Sequence, residues 1–170
     1  MIIEKIKAHE TLKDFLINEC CQNDVSVTFH PEISEDSYII IKVDDFYNSL
    51  KLGKNTPPSL DCLIIRKCIV SGFGVTLVEL KDISSSKGFT FENLKAKFET
   101  CLEDFMQNRF KDLLDKDYKS IKLYFVTNIE IYKRDLGLKL DTLINLRFNF
   151  RGKKIMIEPK MPHPTITNCH

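Results

Sequence analysis

Asp61-Cys62-Leu63-Ile64-Ile65-Arg66-Lys67-Cys68-Ile69-Val70, then Ser71-Gly72, then Phe73-Gly74-Val75-Thr76-Leu77-Val78-Glu79-Leu80-Lys81: this stretch decides the fold. Two apolar, β-branched runs flank a Ser-Gly turn, the pattern of a β-hairpin. In an antiparallel pair the first residue of one strand lies near the last residues of the next. Asp61 is therefore expected beside Glu79 and Lys81 at one end of the hairpin. Glu79 and Lys81 also share a face, because strand side chains alternate with a period of two.

Working outward, Pro57-Pro58-Ser59 delivers the chain stiffly into Asp61. Further upstream, Tyr38 to Val43 reads as a strand. Asp44 or Asp45 would cap a short helical turn through Phe46, Tyr47 and Leu50. Val25 to Phe29 alternates like a short strand. From Ile2 to Cys21, Ile2, Ile6, Leu12, Phe15 and Leu16 fall near a 3.6-residue repeat and predict a helix. Downstream, Thr90 is the predicted N-cap of the strongest helix, with Phe91, Leu94, Phe98, Cys101, Leu102, Phe105, Met106 and Phe110 on its apolar stripe. Ile121 to Val126 follows as a strand, Leu138 to Leu143 as a helical segment, and Arg147–Phe150 with Lys153–Ile157 as a second hairpin.

Helix-bridged strands imply an α/β fold, a mixed β-sheet flanked by helices with an extra C-terminal hairpin. The 170 residues and a 43% hydrophobic content fit one domain, expected over 1–160, with residues 161–170 as a loose, proline-containing tail. Formal net charge is +1, so a nucleic-acid partner would need a local basic face. No apolar run approaches the roughly 20 residues of a membrane span, and Glu4, Lys5 and Lys7 interrupt any signal-peptide pattern. The expectation is a cytoplasmic protein without a membrane partner. The six cysteines lack a Cys-x-x-Cys pair and are read as free thiols in a reducing compartment.

Two carboxylates can hold a hard divalent cation, and a neighbouring lysine can orient a water. The triplet Glu79-Leu80-Lys81 has two rivals, Asp117-Tyr118-Lys119 and Glu158-Pro159-Lys160, the latter with Asp141 upstream. Only Glu79-Leu80-Lys81 is followed by a helix and a further strand to shelter it. Between Tyr132 and Lys160, basic residues including Arg147, Arg151, Lys153 and Lys154 outnumber Asp135, Asp141 and Glu158. With Phe148 and Phe150 beneath them, and Lys95 on the long helix, they form a candidate phosphate-backbone footprint or a plain solvated surface.

Pro58-Ser59-Leu60-Asp61 and Glu79-Leu80-Lys81, on a hairpin followed by a long amphipathic helix and a strand, resemble the PD-(D/E)XK (restriction-endonuclease-like) nuclease superfamily over about residues 1–128. The proline stands three positions before the aspartate rather than directly before it. The resemblance implies a Mg²⁺- or Mn²⁺-dependent endonuclease of a restriction or defence type, with DNA favoured over RNA. Asp61 and Glu79 would be the metal ligands and Lys81 the water-positioning residue. The carbonyl of Leu80 would complete the shell, with an acid from the first helix, Glu10 or Glu19 and by preference Glu10. A homodimer is expected on the same ground. The alternative it allows is a catalytically inactive relative that binds nucleic acid or protein.

Overall fold

The computed structural model describes residues 1–82, 90–128 and 138–170, the side chains of 138–141 excepted. The helices are α1 (Ile2–Lys7), α2 (Val43–Ser49), α3 (Phe91–Glu99), α4 (Lys111–Leu114) and α5 (Leu138–Asn145). The strands are β1 (Leu16–Ile17), β2 (Cys20–Gln22), β3 (Val25–Phe29), β4 (Tyr38–Lys42), β5 (Cys62–Lys67) and β6 (Phe73–Lys81). They continue with β7 (Ser120–Thr127), β8 (Arg147–Phe150), β9 (Lys153–Lys160) and β10 (Thr165–Ile166).

Seven strands form a mixed sheet in the order β1-β4-β5-β6-β7-β9-β8. The stretch β4-β5-β6 is an antiparallel meander, as short connections allow. The pair β6–β7 is parallel, and α3 lies in the crossover between them. The strand β9 runs parallel to β7, and the hairpin β8–β9 closes that edge. A second sheet, β10-β3-β2, has three strands.

Strand alternation divides the core in two. Odd-numbered Leu63, Ile65, Val75, Leu77, Leu123 and Phe125 pack with Leu94, Phe98, Leu102 and Phe105 of the long helix. Even-numbered Cys62, Ile64, Val78, Leu80, Tyr124 and Val126 pack with Cys20, Val25, Val27 and Ile166 of the second sheet. A fold with helices on one face and a small sheet on the other matches the expected α/β class at the level of a helix-flanked mixed sheet.

Several local expectations need correction. The predicted helix over 2–21 ends at Lys7, and a 3₁₀ turn at Leu12–Phe15 and strands β1 and β2 replace the remainder. The apolar spacing there serves packing of short elements rather than one helix, and Leu12 is still fully buried. The helix α2 begins at Val43 with Lys42 at the N-cap, so Asp44 and Asp45 lie in its first turn rather than at the cap, where Asp44 Oδ1 accepts from Asp45 N–H at 2.9 Å. Thr90 does cap α3, accepting from Asn93 N at 3.1 Å. Beyond Glu99 the helix continues as a π-helical segment, Thr100–Arg109, in which Cys101, Leu102, Phe105 and Met106 stay buried.

The cysteines also depart from expectation. Cys20 pairs with Cys62 and Cys68 with Cys169, their Cα atoms 6.3 and 4.7 Å apart, within disulfide reach. Cys68 lies just past β5, so Ile69 and Val70 leave the strand for an exposed loop closed by Cys68 N–H donating to Gly72 O at 3.0 Å. Gly72 adopts φ +79°, a conformation side-chain-bearing residues resist. The tail is not loose: β10 pairs with β3, and Ile69 N–H donates to Cys169 O at 2.9 Å.

Candidate metal centre

The hairpin register brings Asp61 and Glu79 together. Cys62 stands opposite Val78 in β6, and one further step in that register sets Asp61 opposite Glu79. The Asp61 side chain closes the step, its Oδ2 accepting from the Leu80 backbone N–H at 2.8 Å. Asp61 and Glu79 are 8% and 4% exposed, unusual for carboxylates. Both have the odd parity of the helix-covered face, as does Lys81.

Each carboxylate has acquired an ammonium that sequence reasoning missed. Lys42 Nζ lies 3.3 Å from Asp61 Oδ1 and 3.2 Å from Asp44 Oδ1. Lys97 Nζ lies 2.5 Å from Glu79 Oε1. Both were recoverable in principle. Lys42 ends β4, the antiparallel neighbour of β5, and so sits beside the start of β5. Lys97 stands three residues after buried Leu94, on the flank of the apolar stripe of α3, where a long side chain reaches the sheet. Lys81, by contrast, makes no hydrogen bond or ion pair with a described residue.

Burial, reinforced by the Asp61 carboxylate, pushes the Glu79 carboxyl up to about 8, with Lys97 pulling it back. The second Glu79 oxygen, Oε2, is buried without a hydrogen-bond partner. Asp61 and Glu79 are close enough to hydrogen-bond if one of them carries a proton. Facing carboxylate oxygens repel unless a proton or a cation lies between them. Lys42 is raised: burial lowers it, but Asp61 and Asp44 outweigh burial. Across the parallel register from Lys81 stands Thr127, fully buried, with an unpartnered Oγ1.

The remaining candidates are not gathered here. Glu10 is exposed in the turn after α1, and Glu19 is exposed between β1 and β2. No group of three or more His, Cys, Asp or Glu side chains suited to a metal forms among the described residues, so neither completes a set with Asp61 and Glu79. The rival triplet on β9 is spent internally, with Lys160 Nζ 2.9 Å from Glu158 Oε2, and Asp141 lies among the undescribed side chains. In the other rival, Asp117 is exposed and paired with Arg151 at 3.5 Å.

The basic footprint is split. Arg151 also pairs with Asp115 at 3.0 Å, and Lys153 Nζ donates to Tyr118 O at 2.8 Å. These partners precede β7, whereas Glu79 and Lys81 end β6, its parallel neighbour. Six residues of strand from Phe73 to Glu79 put the two ends about 20 Å apart. Lys154, near the start of β9, belongs to the far end as well, and Lys95 pairs with Glu99 at 3.4 Å. Arg147, at the β8 start opposite Met156, lies toward the carboxylate end, and Phe148 and Phe150 are buried beneath the hairpin as expected.

The fold and this buried acid pair define a mixed α/β domain with a helix-flanked sheet. Comparison with protein-family models, with curated proteins and with solved structures finds no match for this chain.

Proposed function

We propose that this chain is a small divalent-metal-dependent nuclease, a phosphodiesterase of the PD-(D/E)XK type, acting on DNA in preference to RNA. One observation carries the proposal: two buried carboxylates face each other at a strand end, and one oxygen, Glu79 Oε2, lacks a partner. The antiparallel meander, crossover helix and parallel strand around the pair support the same family. Asp61, Glu79 and the Leu80 carbonyl are the groups that would hold Mg²⁺ or Mn²⁺. When bound, such an ion supplies charge neutralisation at the phosphate and a more acidic water. The chain's own part is to fix the two carboxylates through the Leu80 N–H and to exclude water with the Leu94–Phe98 flank. It also sets ammonium groups beside the phosphate, where they stabilise negative charge as it develops. A homodimer completes the proposal; no helix among the described residues is long and apolar enough to cross a membrane.

The test is incubation of plasmid, linear duplex and single strands with Mg²⁺, with Mn²⁺ and with chelator. Cleavage that chelator stops and Asp61→Asn abolishes supports the proposal; metal-independent cleavage, or none, refutes it. A second reading rests on its own observation: Lys42 and Lys97 already balance the two carboxylates. A non-catalytic relative would keep these ion pairs as a structural element, bind nucleic acid with steep salt dependence, and show no Mn²⁺ affinity.

A further inference from the structure

Resting on that proposed function, we infer that Lys97, not Lys81, is the ammonium of the metal pocket. It is held on Glu79, and with a divalent cation bound by Asp61 and Glu79 it would be free to turn toward the scissile phosphate. Three observations converge on it. Lys97 Nζ is already at 2.5 Å from a carboxylate oxygen of the pocket, while Lys81, on the expected triplet, engages no described residue. The Lys97 side chain keeps 26% exposure against 6% for its partner, so it has room to turn outward while Glu79 does not. Glu79 gives one oxygen to Lys97, while its Oε2 is buried without a hydrogen-bond partner, so among the described residues Lys97 is the ammonium that a cation held by Glu79 would displace.

In the hydrolysis, the water oxygen uses its lone pair to bond to phosphorus. The phosphorus–oxygen ester bond breaks, and its electron pair leaves with the departing alkoxide. The proton lost by the water ends on that alkoxide or in solvent. Lys97 keeps its protons throughout and donates hydrogen bonds to the phosphate oxygens as their charge grows. A purely structural ion pair would do none of this, since breaking it changes stability alone.

Calorimetric Mn²⁺ titration of the wild type, Lys97→Met, Lys97→Arg and Lys81→Met separates these roles, with cleavage measured in parallel. Removing a competing cation tightens binding, so Lys97→Met is expected to bind Mn²⁺ several-fold more tightly than wild type. Lys97→Arg, which keeps the charge and controls for folding, should bind as wild type does. Cleavage should fall by about 100-fold or more in Lys97→Met and stay within about threefold in Lys81→Met, the range for loss of one charge-stabilising donor. Equal Mn²⁺ affinity in wild type and Lys97→Met, or a cleavage loss confined to Lys81→Met, overturns the inference and leaves the metal pocket standing. No Mn²⁺ binding by any variant overturns the pocket itself.

Discussion

The Leu80 backbone N–H donates to Asp61 Oδ2 at 2.8 Å, one step beyond the last Cα pair of the β5–β6 ladder. A side chain thus extends the ladder where the backbone leaves it, and the same bond aims the Asp61 carboxylate at Glu79. Asp61→Ala should therefore cost stability as well as function, because it strands the buried N–H of Leu80 and the Lys42 ammonium. The expected loss is about 1–3 kcal/mol in urea unfolding. Asp61→Asn keeps an oxygen for Leu80 and should lose less than half of that. Equal losses for the two variants would show that the bond contributes nothing.

Glu79 makes stability depend on pH in an unusual direction. Its carboxyl, raised to about 8 by burial first and Asp61 second, holds a proton in the folded chain that the unfolded chain releases near 4.5. Folding therefore takes up a proton in that window, and the stability gained is full below 4.5 and declines as pH rises toward 8. Glu79→Gln cannot titrate. Denaturation at pH 5, 7 and 9 should show wild type losing stability relative to Glu79→Gln up to about pH 8, with a constant difference above it. A difference independent of pH would place the Glu79 carboxyl at its ordinary value.

The cluster around Asp104 behaves in the opposite sense. Asp104 accepts from Tyr47 OH at 2.8 Å, Asn108 Nδ2 at 3.1 Å and Arg109 Nε at 2.5 Å. Partial burial would raise its carboxyl, but these hydrogen bonds outweigh burial and hold it below the usual range. A depressed acid contributes stability that is fully present above its unfolded value and lost as pH falls through its folded one. Asp104→Asn should melt lower than wild type at pH 7, and the gap should close at pH 2–3. Tyr47→Phe should cost about 1.5–3 kcal/mol at pH 7, the yield of one hydrogen bond to a charged group. A gap that persists at pH 2 would remove the charge from the explanation.

These elements were unequally legible in the sequence. The hairpin, α3 with its Thr90 cap, β7 and the β8–β9 pair follow from period and turn chemistry, and each carries enough residues to impose its own pattern. The Asp61–Glu79 juxtaposition follows from hairpin geometry alone. Lys42 and Lys97 were missed because placing them needs the pairing of β4 with β5 and the packing of α3 on the sheet, in addition to the local spacing. The first 22 residues misled for a related reason: β1 and β2 are two and three residues long, too short for a period, and take their conformation from the strands they pair with. Cys169 lies 101 residues from Cys68, a separation on which sequence rules for cysteines are silent.

The two cysteine pairs staple the small sheet to the large one at both ends of β5. Cys20, on β2, joins Cys62 at the β5 start, and Cys169, after β10, joins Cys68 just past its end. Both links close long loops, with separations of 42 and 101 residues, so each should stabilise by about 2–4 kcal/mol through the unfolded chain. Reduction should therefore lower the melting temperature and expose the second sheet first, because its strands are short and β10 pairs with β3 through only two residues. Hydrogen exchange after treatment with a dithiol should show faster exchange at residues 20–29 and 165–169 than in β6 or β7. Cys68→Ser should reproduce the change at the tail while leaving Cys20–Gln22 protected. Unchanged exchange at 165–169 in Cys68→Ser would mean that strand pairing, and not the Cys68–Cys169 link, anchors the C-terminus.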